Sequence, residues 1–307
     1  MYKGLLLDNK IKLGGKVTKV ILNKSGNWKE YSPEHERQNI LTETLMCATF
    51  SATDCIEYIF NKRIADKDIS IEDTLWLDEK GYFLNGKINF NERFIGTLGE
   101  TTDQGAYQSK IANAIESYGL IPQTMLPLTN NFYKNIDKQY ITDEMYALGK
   151  EFKKRFPIES YGVGDRDMIG KELTYSPLQV CVYYADGDGI LCPGQNPQHA
   201  VVCVNEEENY VEIDDSYKRQ FKKYCKQAIW SIMGFKVNFK ENKPMNINER
   251  VKIIKDKNSS AVGIWLPATS EEVLKSYCLN MNKQIVLKEN GGIDWDNTID
   301  GDFIERK

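Results

Sequence analysis

The chain has 307 residues, of which 41% are hydrophobic and 11% aromatic, enough to build one large domain or a domain with an appendage. A net charge of −4 and a pI near 5.5 argue against a nucleic-acid binder, which carries a basic excess. No apolar run approaches the roughly 18 residues of a membrane span, and the N-terminus lacks the apolar core of a signal peptide. Seven cysteines without an export signal fit a reducing compartment better than a disulfide framework. With no C-x-x-C pair and two histidines, neither a zinc site nor any other metal or cofactor is expected. The Asp186-Gly187-Asp188-Gly189 and Asp294-Trp295-Asp296 stretches lack the further ligands of a calcium loop and read as turns.

In chain order, residues 16–21 suggest a short strand, and residues 31–39 are polar and extended, with Pro33 discouraging helix. Residues 42–61 carry Leu45, Ala48, Ala52, Ile56, Ile59 and Phe60 at helical spacing, with no Gly or Pro. Met46, Cys47 and Phe50 lie off that stripe, so this helix is expected to be buried on all sides. Residues 71–77 form a short amphipathic piece, and Gly81, Gly86, Gly96 and Gly99 mark turns. A helix over 106–118 ends at Gly119, and another, capped by Thr142 or Asp143, carries Met145, Leu148, Phe152 and Phe156 as one stripe.

Beyond Pro177 the character turns to β, with strands expected over 178–184, 199–204, 210–214 and 232–239. The polar turn 205–209 makes the middle two a hairpin. Composition shifts again after residue 240, where 261–267 reads as a strand, Thr269-Ser270-Glu271-Glu272 as a capping box opening a helix, and 288–307 as a polar tail. Two basic clusters, 150–155 and 218–226, read as solvated faces. Helices first and strands second describe an α+β protein of two lobes with an extension: an arm over 1–30, a main domain over 31–240 and an appendage over 241–307.

Two features carry chemistry. Cys47 falls in the first turn of the buried helix, where unpaired N–H groups and the positive end of the dipole favour a thiolate. Taken alone it also fits an inert core thiol. His199 opens a strand, and Asp215, sixteen residues on, ends its hairpin partner. That juxtaposition would let Asp215 hold one ring nitrogen while the other takes a proton from a thiol.

Together these segments resemble the papain superfamily of cysteine peptidases. Cys47-Ala48-Thr49-Phe50-Ser51-Ala52 is similar to the family's Cys-Trp-Ala-Phe-Ser-Ala helix start. His199-Ala200-Val201 with Ile213-Asp214-Asp215-Ser216-Tyr217 is similar to its His-Ala-Val and Ile-Lys-Asn-Ser-Trp segments. Gly105-Ala106, Tyr118-Gly119-Leu120-Ile121 and Ser176-Pro177-Leu178 follow in the family's order between them. The resemblance covers residues 38–239 and is closest in character to bacteriophage and bacterial papain-like proteins.

It implies a two-lobed papain-like fold and hydrolysis of polypeptides. Cys47 would be the nucleophile, His199 the base and acid, Asp215 the orienting residue, and Gly105 part of the substrate-binding edge. The Cys47 backbone N–H and a Gln would form the oxyanion hole. The family's Gln lies six residues before the Cys, where this chain has Leu41, so Gln38 is the candidate. Asp215 stands for the family's Asn and Tyr217 for its shielding Trp. Two other readings stand beside a peptidase. One is a non-catalytic papain-like scaffold, for instance in a phage virion, assembling with a protein partner through residues 241–307. The other is a thiol amide hydrolase or transglutaminase acting on peptidoglycan or side-chain amides. The expected location is the cytoplasm or a phage particle.

Overall fold

The computed structural model describes residues 4–7, 17–217 and 219–239, and the backbone of two short strands, Lys283–Gln284 and Ile299–Asp300. It divides into two compact units, one of Met1–Lys62 with Tyr82–Phe239 and one of Arg63–Gly81 with Lys240–Lys307. The expected strand at 261–267, the capping box at 269–272, the Asp294-Trp295-Asp296 turn and, apart from Ile299–Asp300, the tail at 288–307 lie outside the described residues, as does any assembly role of residues 241–307.

The first unit opens with strand β1 (Leu5–Leu6). Residues 17–21 form no strand, contrary to expectation. Helix α1 runs from Cys47–Ala65, starting five residues later than the periodicity suggests. The reason is local. Leu45 sits at φ 54°, in the left-handed region that ends regular helix for an L-residue, and its N–H is held by the Glu43 carboxylate at 3.1 Å. Cys47 therefore stands at the first helical position. As the all-round apolar pattern requires, the first two turns of α1 are buried on every side.

The rest of the helical half comprises the hairpin β2 (Phe83–Leu84) and β3 (Lys87–Ile88), α3 (Glu92–Leu98), β4 (Ala106–Tyr107), α4 (Gln108–Tyr118), α5 (Phe132–Asn135) and α6 (Asp143–Arg155). Thr142 caps α6 as expected, accepting from the Met145 N–H. Gly96, expected in a turn, lies inside α3: a Cβ there would come within 2.9 Å of the Met46 sulfur, so the glycine permits close packing of α3 on the start of α1. A knot of Phe60, Tyr82, Phe90, Phe152 and Phe156, with ring centroids 5.1–5.9 Å apart, fills the core of this half.

The β half is one seven-stranded sheet built from β5 (Ile158–Val163), β6 (Leu178–Val182), β7 (Ile190–Leu191), β8 (His199–Glu206), β9 (Tyr210–Asp214), β10 (Phe221–Cys225) and β11 (Ile232–Val237), with α7 (Ile169–Leu173) between β5 and β6. The strand order is β5-β11-β6-β8-β9-β10-β7, antiparallel throughout except for β10 with β7. The expected hairpin is β8–β9. Gln179 of β6 fastens the sheet to α1, donating to the Ala48 carbonyl at 2.6 Å and the Ser51 hydroxyl at 2.9 Å. In the second unit, α2 (Ile71–Glu79) is capped by Ser70, and β12 (Lys283–Gln284) pairs antiparallel with β13 (Ile299–Asp300).

The cysteine reading needs a correction. Cys192 and Cys225 form a disulfide, bringing the loop before β8 onto the end of β10, so the odd count did not mean that every thiol is free. Among the described residues Cys47, Cys55, Cys181 and Cys203 are buried and stand outside this bridge.

Candidate active site

Three elements converge on Cys47. α1 presents the thiol from its first turn, where the Cys47 N–H has no acceptor within the helix. β8 begins at His199, which is 2% exposed. β9 ends at Asp214, and because side chains alternate along a strand, Asp214 and Asp215 diverge. Asp214 turns toward α1, accepting from the Tyr58 hydroxyl at 2.6 Å, and burial raises its carboxyl above the usual range. Asp215 turns toward His199, its Oδ1 lying 2.7 Å from Nε2.

With Nε2 committed to Asp215, Nδ1 is the ring nitrogen left for the Cys47 thiol, whose sulfur acts on the imidazole electrostatically. Burial works against charge on His199. The Asp215 carboxylate, its hydrogen bond and the Cys47 sulfur outweigh it and raise the imidazole to about 10. Asp215 shows the mirror image. Burial would raise it, but His199 and the Lys222 ammonium bring it below the usual carboxylate range. Rings enclose the pair, with Tyr217 centred 4.9 Å and Tyr184 5.6 Å from the imidazole. Tyr217 thus covers His199 from the position where the resemblance placed a shielding Trp.

Gln38 is buried beside this group, but its amide hydrogens are already committed. Nε2 donates to Glu43 at 2.8 Å and to the Tyr217 hydroxyl at 3.1 Å, while Oε1 accepts from Ser216 at 2.8 Å. Gln38 offers no uncommitted N–H to an oxyanion in this arrangement. Leu41, at the family's spacing, is exposed.

Gly105 lies at φ +95°, in the region that favours glycine, and the chain segment across from it is the protein's own β1. β1 pairs parallel with β4, in the register Leu5↔Ala106 and Leu6↔Tyr107, and the Gly4 carbonyl accepts from the Ala106 N–H at 3.2 Å. A Cβ on Gly105 would meet the Gly4 carbonyl carbon at 2.2 Å, and one on Gly4 would lie 2.8 Å from the Cys47 sulfur. Residue 4 thus covers the thiol, which is wholly buried.

Sequence reasoning missed Gly4, Tyr184 and Lys222. Lys222 falls in the basic cluster read as a solvated face, yet its side chain is fully buried against Asp215. The alternation Lys222-Lys223-Tyr224, one of two lysines sharing a face with an aromatic, was the available signal. It also missed a buried acidic group in the helical half. Asp54, Glu57 and Glu92 each place an oxygen within 4.8 Å of the others.

No protein-family model matches this chain, and no curated protein matches it. Solved structures do. Xylellain, a cysteine protease from Xylella fastidiosa, superposes with a TM-score of 0.50 at 15% identity, over 76% of this chain and 96% of that one. The Amb a 11 cysteine protease of ragweed pollen, in its proform, gives 0.44 at 15% identity, over 70% of this chain and 66% of that one. The Carica candamarcensis cysteine protease CMS1MS2 gives 0.43 at 12% identity, over 71% and 98%. The fold is that of the papain-like cysteine proteases, in the α+β class, as the xylellain match and the sheet with its packed helices define it. This match shows the fold and does not show the bacteriophage or bacterial character read from sequence. No helix among the described residues is long and apolar enough to cross a membrane.

Proposed function

We propose that the protein is a cysteine peptidase that hydrolyses peptide bonds through Cys47 and His199. The observation that carries this reading is the His199 imidazole, held on Nε2 by Asp215 at 2.7 Å and acted on by the Cys47 sulfur at the start of α1. His199 takes the thiol proton, and the thiolate attacks the substrate carbonyl carbon. Oxyanion charge builds where the Cys47 N–H points. The imidazolium then gives its proton to the leaving amine, forming an acyl-enzyme. Water, deprotonated by the now neutral His199, attacks the thioester, and the acid product leaves as the thiol is restored. Asp215 keeps the ring in the orientation that these transfers need.

The test is labelling by a thiol-directed epoxide, read by mass spectrometry, in wild type, Cys47→Ala and His199→Ala. One adduct on Cys47 is expected, slowed by about 10²–10⁴ in His199→Ala. An adduct that persists in Cys47→Ala would sink the assignment. A second reading, a papain-like scaffold without turnover, is favoured by one observation: the backbone at Gly4 closes the thiol. Absence of any labelling in folded protein lacking residues 1–7 would select it.

A further inference from the structure

The proposed reaction uses Cys47, His199 and Asp215, and leaves one fully buried charge beside them without a task. Lys222 lies in β10, opposite Ile213 of β9. The Asp215 N–H donates to the Gln220 carbonyl at 2.8 Å, closing the β9–β10 turn and folding the Asp215 carboxylate back over β10. There Lys222 Nζ lies 2.8 Å from Oδ2, and both side chains are wholly shielded from solvent. The ammonium also reaches the Ala185 carbonyl at 3.4 Å and lies 4.3 Å from the centre of the Tyr184 ring. A lysine is almost never buried to this degree unless it is paired, so this placement is specific to the partner it meets.

We propose that Lys222 is a positioning residue of the site: its ammonium pins Oδ2 of Asp215 so that Oδ1 stays on His199, and its charge offsets that of the carboxylate. The inference rests on the peptidase reading for its significance, not for its geometry. Oδ1 is fixed by His199 at 2.7 Å and by the Tyr217 N–H at 3.2 Å, so with Lys222 on Oδ2 the carboxylate cannot rotate without breaking a charged contact.

The charges in line are Cys47, His199, Asp215 and Lys222. The proton passes from sulfur to imidazole inside a group whose net charge is zero before and after. Without Lys222 the group would carry one negative charge, which holds the imidazolium more tightly and makes it a poorer acid toward a leaving amine. Among the described residues, the other titratable groups around the imidazole are Tyr184 and Tyr217, with Glu43 behind Tyr217 accepting its hydroxyl proton at 2.9 Å. Beyond Asp215 lie Asp214 and His35, whose Nε2 is 3.0 Å from the Asp215 carbonyl. None of these supplies a second cation to the Asp215 side chain.

The chain has two histidines, so each ring can be followed by NMR. In a Cys47→Ala background, which removes the sulfur's influence, the His199 titration is compared with and without Lys222→Met. An upward shift of about 1 pH unit is expected, with Lys222→Arg staying at the parent value. Lys222→Gln keeps a donor to Oδ2 while losing the charge. It should shift His199 upward as Met does, and it serves if the Met variant does not fold. An unmoved His199 titration in the folded neutral variants would overturn the proposal. A His199 that shifts as stated in a protein whose Cys47 never labels would instead remove the peptidase reading and leave this one standing.

Discussion

Gly4 lies against the sulfur of Cys47, so closely that a Cβ at residue 4 would stand 2.8 Å from Sγ. The nucleophile candidate is covered by backbone, and the cover is a two-residue parallel ladder on the same β4 edge that the resemblance assigned to substrate.

That cover should be easy to lift. Gly4→Leu cannot seat beside the sulfur, and removal of residues 1–7 dispenses with the ladder. Either change should speed epoxide labelling of Cys47 about tenfold, corresponding to ~1.4 kcal/mol of lost strand pairing. Rates equal to wild type would show that the segment does not limit access.

The alkaline limb of Cys47 labelling should lie near pH 10, where His199 loses its proton. A histidine raised in the fold contributes stability that is full below its unfolded value, about 6.5, and lost as pH rises through about 10. Asp215→Asn removes the carboxylate that raises it, so the limb should fall by at least about 1 unit. The same change strands the buried Lys222 ammonium, at a cost of about 3–5 kcal/mol. Denaturant melts and a pH–rate series check both arms.

For Gln38→Ala the expected loss is in stability, about 1–3 kcal/mol, since three buried side-chain hydrogen bonds disappear. Labelling of the folded fraction should change less than tenfold. A drop of about 10²–10³ would mean that the amide swings to the oxyanion when substrate binds.

Burial is the largest cause raising the carboxyls of Asp54, Glu57 and Glu92, and neighbouring carboxylates, Glu36 among them in each case, add to it. A carboxyl raised in the fold favours folding when protonated, so stability should fall as pH climbs above the unfolded value of about 4. Glu92 Oε2 accepts from Gln123 at 2.8 Å, while Oε1 is buried with no partner. Glu92→Gln keeps the acceptor and puts an amide donor among carboxylates. It should stabilise the protein by about 1 kcal/mol or more at pH 8 relative to pH 5. An equal change at both pH values would refute the assignment.

Much of this architecture can be read from sequence because periodicity reports burial. The all-apolar start of α1, the Thr142 cap and the His199–Asp214 hairpin are local patterns, and each appears where its residues put it. What escaped reading is either a backbone conformation that periodicity does not report or a contact distant in the chain. Leu45 delays α1 through a left-handed turn fixed by Glu43, and Gly96 sits in a helix because Met46 leaves no room for a side chain. Lys222 looks like surface charge until Asp215 folds back onto it. Nothing in the sequence near Gly4 announces that it would meet residue 47.

The Cys192–Cys225 bridge spans 33 residues, and His199, Asp215 and Lys222 all fall inside that covalent ring. Closing a loop of this length lowers the entropy of the unfolded chain by an amount equivalent to about 4 kcal/mol. The charged half of the site is thus tied by one sulfur chemistry while Cys47, in the proposed reaction, would work by another. A reductant strong enough to open the ring loosens the base and its supports, and an oxidant strong enough to keep it closed threatens the nucleophile. Turnover would therefore be confined to a redox window, with rates falling at both ends of a thiol–disulfide buffer series.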